Sequence, residues 1–290
     1  MKGASTSKLA EAIWNFFEYN RAIVLTKATV KAGPDQVEAV HELRVATKKI
    51  RTVYRLCSTL SEGDFRQKKE IADLRTLFRA AGTLRELQVN QGVLEVYEDL
   101  HVAYYRKLSQ LLLQQRRSAS PRYQSARKEF KPDSFLSTAH KIAKILEDTP
   151  PQELLVGVVA MAHDRLQAAI GGMPPGYEPE GIHQTRIYLK EAMYLIALLH
   201  SAGHREAFSE ELLAGARLAA EIAGDWHDRE VFHEWLQIEL RPQAIIFQPQ
   251  TGYSLLLQDL SVHTRQLVKR FRDALEAMES VVPSSIQARQ

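Results

Sequence analysis

An all-α fold made of two similar halves is the expectation for this 290-residue sequence, and three observations lead to it. Apolar residues recur at the helical period in segment after segment. The β-branched runs VGVV (156–159) and AII (244–246) are too short and isolated to build a sheet. A set of distinctive residues also returns after a constant offset of 142 positions: His41 and His183, Arg44 and Arg186, Lys48 and Lys190, Arg75 and Arg217, Gly82 and Gly224, Glu86 and Asp228, Val89 and Val231. One register held over some fifty residues reads as an internal repeat. It divides a single domain, 1–290, into helical halves 1–148 and 149–290, related by a pseudo-twofold axis.

Taken in order, Leu9, Ile13, Phe16, Phe17 and Ile23 place a first helix over 5–30. The stretch AGPDQ (32–36) breaks it, and Asp35 is positioned as the N-cap of the next. A charged helix follows to about residue 60. Ser61 or Asp64 starts another, carrying Leu74, Leu77 and Phe78 and ending near Gly82. A long helix is expected over 84–118, then a basic Ser- and Pro-containing linker over 116–132. A short helix at 134–147 leads to Pro150-Pro151 and a helix to about 170. GGMPPGYEPEG (171–181) is a loop. Further helices are expected at 182–201, 205–223, 226–240 and 252–280.

Composition narrows the function classes. A charged fraction of 25% and a net charge of +3 are ordinary for a globular chain, so any strong positive field must be local. The single cysteine, Cys57, excludes an intrachain disulfide and reads as core packing. No run of about 18 apolar residues suggests a membrane span, and the N-terminus lacks a signal-peptide pattern. A cytoplasmic protein without a cofactor or metal is the expectation.

The local field is in AVHELRVATKKIRTVYRL (39–56). At 100° per residue, His41, Arg44, Lys48, Arg51 and Arg55 fall within an arc of about 80° and rise over about 21 Å. Like charges at i,i+4 destabilise an isolated helix by a few tenths of a kcal/mol per pair. A bound polyanion is the simplest compensation. The corresponding helix of the second half keeps His183, Arg186 and Lys190, but Glu191 replaces Lys49, Met193 replaces Arg51 and Ala197 replaces Arg55. The first half should therefore dominate a shared surface.

These residues resemble the CHAD family, an α-helical domain named for its histidines. Its motif H-x-L-R-x-x-x-[RK]-[RK]-x-R is similar to His41, Leu43, Arg44, Lys48, Lys49 and Arg51, and its weaker companion H-x-x-R-x-x-x-K to His183, Arg186 and Lys190. The segment RAAGTLRELQV resembles R-A-L-G-x-V-R-D-x-x-V at Arg79, Gly82, Arg85 and Val89, with Glu86 for the usual Asp. GDWHDREV (224–231) resembles the partner segment of the second half. The resemblance implies two similar four-helix bundles that bind inorganic polyphosphate through a basic surface, without catalysis and with association to polyphosphate granules. The E-x-E-x-K signature of a triphosphate-cleaving domain is not matched, because Glu178 and Glu180 continue with Ile182.

On this reading Arg44, Arg51, Arg79, Arg85 and Arg186 suit bidentate contact with phosphate oxygens, and Lys48, Lys49 and Lys190 act as point charges. Arg55, Arg75 and Arg217 read equally as members of the surface or as ordinary helix-surface ion pairs. Positive neighbours should lower the pKa of His41 and His183, making them neutral hydrogen-bond donors. A nucleic-acid-binding helical protein is the alternative, since phosphate neutralisation alone does not separate the two ligands. No helix-turn-helix pattern or aromatics interleaved with the stripe support base reading. A second alternative, a metal phosphohydrolase, rests on His163-Asp164 and His227-Asp228, which lack a full ligand set.

Overall fold

The structure, a computed structural model, describes residues 7–31, 33, 35–98, 102–240 and 252–280. Among these there are ten helices and no strand: α1 Lys8–Lys27, α2 Gln36–Leu60, α3 Gln67–Glu70, α4 Ala72–Glu95, α5 Val102–Glu129, α6 Asp133–Asp148, α7 Pro151–Gly171, α8 Pro179–Ser201, α9 Glu210–Leu240 and α10 Gly252–Glu279. The all-α expectation is met. VGVV (156–159) lies inside α7, whereas residues 244–246, 32 and 34 fall outside the described residues.

Local sequence explains several helix starts. The Ser7 hydroxyl accepts from the Ala10 N–H at 3.1 Å and caps α1. Pro151 and Pro179 sit in the first turns of α7 and α8, where no amide donor is needed. Asp35 precedes α2 as expected, but its side chain makes no capping hydrogen bond. The 171–181 loop is fastened from α10, where the Arg272 guanidinium donates to the carbonyls of Pro174 (3.0 Å) and Pro175 (3.2 Å).

Four boundaries differ from the sequence expectation. Gly82 and Gly224 do not end helices but lie inside α4 and α9. The expected 84–118 helix is the end of α4 and the start of α5. Residues 116–132 are not a linker, because α5 runs through Pro121 to Glu129. An interior proline removes a hydrogen bond, yet the apolar stripe Leu108, Leu112, Tyr123 and Ala126 continues across it and is buried. Burying such side chains contributes about 1.5–3 kcal/mol each for the larger ones, enough to hold the second segment helical. The basic end of this stretch serves α1: Arg127 donates to the carbonyls of Ala28 and Thr29 at 3.4 and 3.1 Å.

One apolar core runs through both halves, from Ile13 and Phe17 on α1 and Leu43 and Ile50 on α2 to Leu189 on α8, Trp226 on α9 and Phe271 on α10. Cys57 is fully buried in it, and desolvation pushes its thiol up to about 12. A smaller core joins α4, α5, α9 and α10 around Leu94, Leu112, Phe232 and Leu260. Among the described residues α7 is long and apolar enough to cross a membrane by length and composition, although Glu153, His163, Asp164 and Arg165 interrupt its apolar residues. Here it packs along α8 and buries Leu154, Val158, Ala162 and Leu166. The packing of α2 on α4 and α8, and of α9 on α4 and α8, brings together the helices that carry the repeated cations.

Candidate functional site

The site forms where the two cationic rows come within electrostatic reach of each other. α2 supplies His41, Arg44 and Lys48, and α8 supplies His183, Arg186 and Lys190. α4 adds Arg85, and α9 adds His227 and Asp228. Periodicity explains the presentation. Each trio follows 3-4 spacing on a helix whose flanks are anchored by Val40, Leu43 and Ile50, or by Ile182, Leu189 and Leu195.

The charges are unbalanced. Burial, then the positive fields of Arg186, Arg44 and Lys190, lowers the Lys48 ammonium to about 7. Burial and Arg186 lower Lys190 to about 8. Asp228 is the acidic group that opposes both shifts, and burial in turn raises its own carboxyl against the pull of Arg186 and Arg85. Arg186 is only 7% exposed, and its Nε–H has no partner among the described residues. A buried donor of this kind is costly unless something accepts from it.

The histidines are neutral donors or acceptors in this field. Burial chiefly, then Arg85, lowers His41; burial, then Arg186, lowers His183. The expected direction is right, but desolvation outweighs the charge effect that suggested it. His227 packs against His183 with ring centroids 4.8 Å apart, and burial with the surrounding cations pushes it down to about 2. His227 and Asp228 thus belong to the cationic cluster. His163 lies 3.8 Å from its own neighbour Asp164, on α7.

Arg44 occupies a seat built for it. Its Nη1 donates to the Phe78 carbonyl at 3.1 Å, and its guanidinium lies 4.5 Å from the Phe78 ring centroid. A Cβ on Gly82 would stand 2.7 Å from that same Nη1, so glycine inside α4 makes room for the arginine. The remaining row continues into a cleft of about 620 Å³ between α2, α3 and α4. Arg51, Arg55, Lys68, Arg75 and Arg79 line it together. Arg75 also donates to the Lys68 carbonyl at 3.1 Å.

Several expected residues sit elsewhere. The Lys49 ammonium lies 5.9 and 5.8 Å from the ring centroids of Phe16 and Tyr194, away from the row. Arg55 lines the cleft but is paired with Glu191, whose other oxygen is 3.0 Å from Arg165 Nε. Arg217 is exposed on α9, lines neither the α2–α3–α4 cleft nor the central cluster, and is not among the charges that shift Lys48. Sequence reasoning passed over Lys68, which stands on a four-residue helix with no repeat partner, and Arg165, which lies outside every motif.

A family model described as the CHAD domain matches residues 18–237. The chain belongs to the CHAD family. Two solved structures are similar to it, each at 17% sequence identity and a TM-score of 0.56. One is the CHAD domain from the plant Ricinus communis, aligned over 99% of this chain and 92% of that one. The other is PptA from Streptomyces chartreusis, over 93% and 99% respectively. At that identity the likeness establishes the CHAD fold. No curated protein matches the sequence.

Proposed function

We propose that this CHAD protein binds inorganic polyphosphate, without catalysing a reaction on it, along a track that starts at the shared cluster of α2 and α8 and continues into the α2–α3–α4 cleft. In this reading the halves 1–148 and 149–290 act as one domain and contribute unequally. The observation that carries it is the pair Lys48 and Lys190, held in one site by burial with cations on every side and Asp228 as the opposing acid. A free protein bears that repulsion at a cost; a polyanion relieves it. Arginines supply bidentate hydrogen bonds, lysines supply charge, and displaced counterions add a salt-dependent gain.

The aromatic rings near the cations favour polyphosphate over nucleic acid. Phe78 is covered by Arg44 and Arg51, Tyr194 by Lys49, and Tyr188 by Arg165. Rings already engaged by the protein's own cations are poor platforms for stacked bases. The test is a titration with long-chain polyphosphate, double-stranded DNA and heparin at one near-physiological salt concentration. Polyphosphate is expected to bind most tightly, and Lys48→Glu with Lys190→Glu to remove that preference while circular dichroism stays helical. Equal affinity for all three polyanions, or undiminished binding by the double variant, would sink the proposal.

A further inference from the structure

Along α4 from Lys48's cluster the chemistry reverses. A groove of about 660 Å³ lies between α4, α5 and α9, and on each helix its lining residues recur at i, i+3, i+4 and i+7. Two carboxylates, Glu86 on α4 and Glu234 on α9, line it; neither has a partner at ion-pair or hydrogen-bond distance among the described residues, and Glu86 feels the Arg44 guanidinium only as a longer-range field. Partial burial, then Glu230 and Glu86 among its acidic neighbours, raises the Glu234 carboxyl. Asn90 lines the same groove while only 1% exposed, and its Oδ1 has no hydrogen-bond partner. The walls are apolar at Leu87 and Leu111.

Trp235 is fixed as part of the lining. Its Nε1–H donates to Gln115 Oε1 at 2.8 Å, Gln115 Nε2 donates to Glu239 at 2.8 Å, and the indole stacks on Phe232 at 5.7 Å. Buried acceptor, rim carboxylates, aromatic face and methylene-compatible walls together specify a ligand that is cationic at separated points and aliphatic between them. A bare metal ion would use neither the apolar walls nor the indole. We infer that the α4–α5–α9 groove is a binding site for a linear aliphatic polyamine. Its ammonium groups meet Glu86 and Glu234, and its methylenes lie along Leu87 and Leu111. A cation beside the indole gains a further electrostatic attraction.

The experiment follows the three tryptophan indole N–H signals by NMR while the full chain, free of polyphosphate, is titrated with spermidine. Magnesium at matched ionic strength is the control. Saturable movement of the Trp235 signal, with Trp14 and Trp226 unmoved, is the expected result. Glu86→Gln with Glu234→Gln should weaken binding tenfold or more, and both sites are exposed enough to leave the fold intact. No saturable shift, equal binding of magnesium, or unchanged affinity in the double variant would overturn the inference. An N-acetyl-lysine amide that binds as tightly as spermidine would do so too, by assigning the groove to a partner's side chain. Because polyphosphate takes no part, this outcome stands apart from that of the polyphosphate titration.

Discussion

Replacing Lys48 with methionine should stabilise the free protein while weakening polyphosphate binding. Methionine keeps the unbranched shape and removes the charge. The unfolded chain holds the Lys48 proton up to about pH 10.5, whereas the fold releases it near 7. Below pH 7 the folded protein therefore carries a penalty of about 5 kcal/mol for keeping this ammonium charged, at 1.4 kcal/mol per pH unit. Between 7 and 10.5 the unfolded chain binds more protons than the fold, so wild-type stability rises with pH. The gain from Lys48→Met should accordingly be about 5 kcal/mol at pH 6 and about 2 kcal/mol at pH 9. Urea unfolding at both values reads it directly, as a shift in midpoint at constant slope. A midpoint unchanged or lowered at pH 6, or a gain of equal size at both pH values, would refute the claim that repulsion and burial dominate at this position.

Polyphosphate binding should also take up protons, since an anion restores the depressed ammonium groups. At pH 7.5 the uptake should be about one proton, three-quarters of it at Lys48 and a quarter at Lys190. Calorimetry in two buffers of different ionisation enthalpy measures it, and Lys48→Met should leave about a quarter. Gly82→Ala should change stability by less than about 1 kcal/mol, because the better helix propensity of alanine offsets the strained Arg44 hydrogen bond. It should nonetheless weaken polyphosphate binding severalfold, as the guanidinium is driven from its seat; undiminished affinity in a titration would contradict that arrangement. Glu191→Gln should cost about 2 kcal/mol, between an exposed and a fully buried ion pair. By releasing Arg55 and Arg165 it should raise affinity, and a variant that binds more weakly would remove Arg55 from the track.

What the sequence shows clearly is what periodicity and chemistry encode together. The rows His41-Arg44-Lys48 and His183-Arg186-Lys190 are legible because 3-4 spacing fixes a helix face, and charges on that face have no apolar explanation. The loop at 171–181 is legible because its prolines and glycines cannot continue a helix. The α4–α5 junction is not legible, since VYEDLH (96–101) contains neither proline nor glycine and reads as continuing helix. Pro121 misleads in the opposite sense, because tertiary burial of Tyr123 and Ala126 overrides its local cost. Gly82 looks like a helix end until Arg44 is seen lying across it. The pairing of Glu191 with Arg55 and Arg165 joins three helices, and no local pattern announces it. Lys49 shares its motif with Lys48, yet one residue rotates it about 100° into the rings of Phe16 and Tyr194.

The central claim is that cations from both halves serve one polyanion. Lys190→Met tests it most directly, because Lys190 belongs to the half whose row stops there, with Met193 and Ala197 in place of the last two arginines. Polyphosphate affinity would be measured for the wild type and this variant across a series of salt concentrations. The account predicts a severalfold loss of affinity and a log–log salt slope shallower by about one, as expected when one phosphate contact is removed. Equal affinity and equal slope would mean that the first half binds alone and that the facing rows do not form a common site.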